Sequence, residues 1–194
     1  MTKIELPSDI TIYVAGVGLV PLWHPKPHHI MPKAIARGLA REGRYGNQSL
    51  RHYSVAEHSW LVSKLCPDNP LQGLVHDAHE AIIGDLLGPI KRLLRAVEGS
   101  TPSTYDKLEA RWWEAVAEQF GVSVEIDRRV ERIDKALRVV EQNALFGLHT
   151  GMDDWLGNQS KALGLKRPLK IRCLNPVQAE RLWWARLVEL GPVL

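Results

Sequence analysis

The stretch Asn69-Pro-Leu-Gln-Gly-Leu-Val-His-Asp-Ala-His-Glu-Ala-Ile-Ile-Gly84 decides how the chain is read. Asn69 is a helix N-cap, Pro70 takes the first helical position and Gly84 ends the segment. A single helix over these residues carries His76, Asp77 and Glu80. Adjacent helical residues project about 100° apart, so His76 and Asp77 can both reach one ion. Glu80 follows at helical spacing, on the same face. Imidazole and carboxylate together suit Mn, Fe, Co, Ni or Zn better than Ca.

Two more ligands must come from other helices. His58 closes Ser54-Val-Ala-Glu-His58, in which Ser54 and Glu57 have the spacing of a capping box. Asp134 sits in Arg132-Ile-Asp-Lys135. His58, His76, Asp77 and Asp134 therefore form the expected site for one divalent transition metal: Mn, Co, Zn, Fe or Ni. A metal lowers the pKa of bound water and polarises a phosphoryl oxygen. Glu80 is then placed to orient or deprotonate that water. Asp85, just past the helix, orients the nucleophile or the leaving group. Arg44 and Lys91 are candidate phosphate clamps, Arg by its bidentate fork and Lys as a point charge. Arg51 is a secondary clamp, and Tyr45 can stack on a base or sugar.

Each residue also has a plainer reading. A lone His-Asp doublet is usually a buried core pair, and it is the full ordered set that favours a metal. Arg44 alone would be a structural ion pair, and Lys91 a solvated helix lysine. Asp85 after Gly84 would be a turn cap. His24, His28 and His29 lie in a Pro-rich loop, and His79 and His52 read as structural.

At 194 residues the chain reads as one domain over 1–194, with an N-terminal segment 1–31, a helical core 32–147 and a C-terminal part 148–194. Residues 9–23 alternate as a short hairpin or extended edge. Helices are expected from Pro32 to about Glu42, Ser54 to Leu65, Asn69 to Gly84, from Pro89, from Ser103 to Phe120, from Ser123 to Leu145 and from Asn175 to Leu190. Residues 147–168 read as loop, and Leu169 to Leu174 as a strand pairing with the hairpin. The fold class is mainly α with a small β accessory. A net charge of +3 is too small and too dispersed to mark a nucleic-acid groove. Only Cys66 and Cys173 occur, so neither a disulfide framework nor a zinc ribbon is expected. With no leader-like start and no run of about 18 apolar residues, the expectation is a cytoplasmic protein that does not enter a membrane. The pairs Trp112-Trp113 and Trp183-Trp184 read first as core packing and second as an oligomer contact.

The runs Arg44-Tyr-Gly-Asn-Gln-Ser-Leu-Arg-His-Tyr-Ser-Val-Ala-Glu-His-Ser59, Gly73-Leu-Val-His-Asp-Ala-His-Glu-Ala81, Gly84-Asp85 and Pro89-Ile-Lys91 resemble HD-domain metal-dependent nucleotide phosphohydrolases. Bacterial 5′-deoxynucleotidases and phage dATP triphosphohydrolases are the relatives the pattern suggests, over about residues 12–147. The resemblance implies an all-α HD domain with His58, His76, Asp77 and Asp134 as metal ligands. It implies Glu80 and Asp85 as catalytic acids, and Arg44 and Lys91 at the substrate. Where the family often has Trp after that Arg, this chain has Tyr45. The implied reaction cleaves the 5′-phosphoester of a deoxynucleotide. A dNTP, with dATP one candidate, would give deoxynucleoside and triphosphate, and a dNMP would give deoxynucleoside and phosphate. An extra Mg or Co ion could accompany the phosphates of a longer substrate. A homo-oligomer, dimer or larger ring, is implied as well. Two alternatives stand beside this: an HD-type phosphodiesterase on cyclic or signalling nucleotides, and a non-catalytic nucleotide-binding module.

Overall fold

A computed structural model describes residues 10–146, 163 and 169–191. It is mainly helical with one small hairpin, as the residue patterns predict. Strands β1 (Thr11–Val14) and β2 (Gly18–Pro21) pair antiparallel, Ile12 opposite Val20. The helices are α1 (Pro32–Arg41), α2 (Val55–Leu65), α3 (Pro70–Val75), α4 (Glu80–Ile83), α5 (Gly88–Glu98), α6 (Thr104–Phe120), α7 (Arg128–Phe146) and α8 (Pro176–Leu190). Apart from Leu163, the loop expected over 147–168 lies outside the described residues.

Helix α2 is the axis of the molecule. Ser54 caps it by accepting from the Glu57 N–H, and eight of its residues are buried. It packs on α3 and α8, and α1 packs on α2, α4 and α8. One apolar cluster gathers Val55 and Ala56 with Trp112, Trp113 and Trp183. A second gathers Leu61 and Val62 with Tyr53, Leu137, Leu145 and Ile171. Three of the paired tryptophans are thus core residues, and their indole N–H groups reach the carbonyls of Leu22, Val124 and Leu74. Gly38 permits the α1–α4 contact, because a Cβ there would lie 2.7 Å from the Ala81 carbonyl oxygen.

Three expected elements differ. The helix read as continuous from Asn69 to Gly84 is broken over 76–79. There the N–H groups of Ala78, Glu80 and Ala81 bond three residues back, a 3₁₀-like tightening. The Gly73 carbonyl, which an α-helix would offer to the Asp77 N–H, accepts instead from His76 Nδ1 at 2.9 Å. The helix expected from Ser123 starts at Arg128. Residues 123–127 are held by Gln72, whose amide donates to the Ser123 and Glu125 carbonyls and accepts from the Asp127 N–H. The Asp127 carboxylate then caps the Arg129 N–H at 2.7 Å.

The segment from Leu169 to Leu174 is not a strand, and the described sheet has only β1 and β2. Its N–H groups serve a side chain instead. The Glu57 carboxylate, 1% exposed, accepts from Arg172 at 2.7 Å, Cys173 at 3.2 Å and Leu174 at 2.8 Å. Cys173 takes a φ of 55° to aim its N–H at this anion. Glu57→Ala would leave these donors unmet, so a loss of about 3 kcal/mol is expected. Urea unfolding of the two proteins measures it, and an unchanged midpoint would show that the clamp contributes nothing.

Candidate metal centre

Three elements bring the site together. His58 projects from α2, His76 and Asp77 from the tightened turn between α3 and α4, and Asp134 from α7. Ligand atoms of His58, His76 and Asp77 lie within 4.8 Å of one another. His76 Nε2 is 3.2 Å from Asp77 Oδ2, and His58 Nε2 is 3.6 Å from the same oxygen. Asp134 Oδ1 stands 3.2 Å from His58 Nε2. Ligands about 2.1 Å from a shared first-row ion would be spaced about 3.0–3.4 Å apart, close to these distances.

The residues fit a cation on two further counts. Nε2 of His58 and Nε2 of His76 are both buried and make no hydrogen bond, although carboxylate oxygens stand beside them. Both stand within 3.6 Å of Asp77 Oδ2, and a buried polar atom without a partner is costly. Asp77 Oδ2 and Asp134 Oδ1 also stand beside His58 Nε2, and a mixed imidazole and carboxylate donor set suits a divalent first-row ion.

The imidazole tautomers are set from behind. His76 Nδ1 faces a carbonyl, which cannot donate, so Nδ1 carries a proton. His58 Nδ1 lies 2.6 Å from Glu141 Oε1. Burial opposes ionisation of Glu141, but His58 and Arg44 outweigh it and lower its pKa to about 2. Burial also pushes the His58 imidazole down, as does Arg44. Glu141 and Asp134 outweigh both and raise it to about 9. Asp77 and Asp134 are buried too, yet the neighbouring imidazoles hold both carboxyls well below the usual range.

Glu80 behaves differently. Burial, then Asp77 and Asp85, raise its pKa well above the ordinary glutamate value. Its Oε2 is buried without a partner. It faces a cleft of ≈ 620 Å³ also lined by Arg44, Asp77, Asp85, Lys91 and Asp134. Burial raises the Asp85 carboxyl as well, and the Asp85 backbone N–H donates to Glu42 Oε1 at 3.1 Å.

The expected substrate residues are only partly gathered. Arg44 is 6% exposed and donates to Asp77 Oδ2 at 3.2 Å, so its plainer reading as an ion pair also holds. Lys91 reaches the cleft but donates to Glu109 Oε1 at 2.6 Å. Tyr45 lines the cleft in the left-handed backbone region, φ 59°, its hydroxyl donating to Glu141 Oε2 at 2.7 Å. Arg51 is exposed and lies outside the cleft lining. His52 contacts the Ala40 carbonyl, and His79 is buried beside Glu109.

Residue-by-residue reading passed over Glu141 and the cleft cations Arg92, Arg95 and Arg138. A signal for the α7 residues existed. Arg138 and Glu141 lie at i+4 and i+7 from Asp134, the spacing of one helix face. Arg138 donates to Asp134 Oδ2 at 2.9 Å. On α5, Arg95 is held by Asp106 at 2.6 and 2.8 Å. Arg92 makes no hydrogen bond or ion pair among the described residues, and it lines the cleft.

His76→Ala and Asp77→Ala should each abolish tight retention of Mn, Co or Zn. Metal analysis after dialysis of folded protein tests this, and full retention by Asp77→Ala would remove the site.

No family model matches the chain. It is 31% identical over 179 residues to an uncharacterized protein of Rhodobacter capsulatus, covering 85% of this chain and 87% of that one. It is 30% identical over 121 residues to the uncharacterized protein YfdR of Escherichia coli, covering 62% of this chain and 61% of the other. At that identity and coverage, the chain belongs to the family of the Rhodobacter capsulatus protein.

Proposed function

We propose that the chain is an HD-type, divalent-metal-dependent phosphohydrolase that cleaves the 5′-phosphoester of deoxynucleotides. One observation carries the reading. The unpartnered Nε2 atoms of His58 and His76 converge beside Asp77 at a cleft that also holds the unpartnered Glu80 Oε2. The ligand order along the chain and the Gly84-Asp85 and Pro89-Ile-Lys91 motifs support the HD assignment.

His58, His76, Asp77 and Asp134 would hold the ion. When bound, a divalent first-row metal lowers the pKa of water and polarises a phosphoryl oxygen. The chain supplies the remainder. Glu80 Oε2, buried without a partner at the cleft, is placed to take a proton from the attacking water. Water forms the new bond to phosphorus, the bond from phosphorus to the 5′-oxygen breaks, and that oxygen leaves with a proton. Asp85, whose carboxyl burial also raises, is the acid on the leaving side.

The phosphate side of the cleft is α5. Lys91, Arg92 and Arg95 line it at consecutive and one-turn spacing, and the helix N-terminus begins at Gly88. Lys91 and Arg95 are partly neutralised by Glu109 and Asp106, while Arg92, unpaired among the described residues, is open to a further phosphate. This row supports a substrate carrying more than one phosphate, and dNTPs therefore join dNMPs as candidates. The deoxyribose preference rests on the resemblance of residues 44–91.

The test is to incubate the protein with Mn, Co, Zn or Mg and a panel of dNMPs and dNTPs, and to separate the products. Deoxynucleoside with either phosphate or triphosphate is expected. No turnover with any metal would overturn the reading. Glu80→Gln should retain metal and lose about 10²–10⁴-fold in rate. An unchanged rate would remove Glu80 from the chemistry.

A further inference from the structure

Glu141 lies on α7 with no exposed surface, two helical turns beyond Asp134. Three donors and a guanidinium converge on its carboxylate. His58 Nδ1 and the Tyr53 hydroxyl stand 2.6 Å from Oε1, and the Tyr45 hydroxyl stands 2.7 Å from Oε2. Arg44 Nε lies 3.4 Å from Oε2.

An ionised carboxylate only accepts, so each neighbour must present a hydrogen. For His58 this places a proton on Nδ1 and turns Nε2 toward Asp77 and Asp134. At His76 the Gly73 backbone carbonyl does the same work. At His58 it falls to a side chain, and a carboxylate also makes the imidazole a more basic ligand. The same carboxylate holds the Tyr45 hydroxyl while Tyr45 stands in a left-handed backbone at the cleft wall.

We propose that Glu141 is the positioning residue of the metal centre, holding His58 through Nδ1 so that Nε2 faces the ion. This deepens the metal-centre reading and rests on it.

The experiment uses the full chain stripped of metal and titrated with Zn against a chelating indicator. Glu141→Gln preserves size and removes charge, while Glu141→Ala removes the acceptor. Zn affinity should fall about tenfold in the first and up to about 100-fold in the second. In Zn-loaded protein, the downfield proton resonance of the His58 ring N–H should move upfield in Glu141→Gln. Tyr53→Phe removes another hydrogen bond to the same oxygen and should leave both readings at wild-type values. Unchanged affinity and an unchanged ring resonance in Glu141→Gln would overturn the proposal. So would an equal loss in Tyr53→Phe, which would mark Glu141 as a purely structural group. If Glu141→Ala does not fold, the Gln and Phe variants still decide. Nucleotide turnover enters none of these outcomes, so a failed hydrolysis assay and a failed positioning role remain separate. Wild-type protein that binds no Zn would overturn the metal centre itself.

Discussion

A helix with eight of its 11 residues buried must satisfy most of its polar side chains inside the protein, and α2 carries several. Glu57 finds three backbone N–H groups in the segment before α8. His58 finds Glu141 on α7. Ser63 accepts from Arg186 Nε on α8 at 3.0 Å. Each of these three residues thereby fastens a distant segment to the axis. The geometry of the site follows, because the helix that brings His58 is located by those same contacts.

The tightened turn over 76–79 has the same origin. A continuous α-helix would orient His76 by helix geometry alone. Here His76 takes the Gly73 carbonyl for its own Nδ1, and the backbone closes with shorter-range bonds. The imidazole is locked and its Nε2 is left toward Asp77. Local helical regularity is surrendered where the side-chain geometry matters. The short α4 then carries Glu80, held against α1 by the close approach at Gly38.

Charge is distributed unevenly around the centre, and that separates roles among similar carboxylates. Asp77 and Asp134 lie beside imidazoles and are kept ionised despite burial. Glu80 lies beside carboxylates and is pushed the other way. Glu141 is wholly buried yet anionic because His58 and Arg44 face it. The contrast among these carboxyls comes from neighbours rather than from residue type.

Much of this was legible in the chain. Caps at Ser54, Ser103 and Asn175, prolines at first helical turns and glycines at Gly84 and Gly121 set most helix positions. Of the order His58, His76, Asp77, Asp134, the first three gather within 4.8 Å of one another and Asp134 stands beside His58. Their types and spacing state a donor chemistry without reference to the rest of the fold. The conformation of residues 169–174 was not legible, because alternation of apolar and charged residues says nothing of an acidic side chain that will claim three N–H groups from more than a hundred residues away. Nor was the isolation of Arg51, or the pairing of Lys91 with Glu109. The sequence by itself determined a mainly helical chain and the residue types that packing then gathers around His58. Only the tertiary structure decided which imidazole nitrogen faces that site, which carboxylates stay charged and which cations stay open. Those depend on burial and on neighbours that packing, not chain order, brings together.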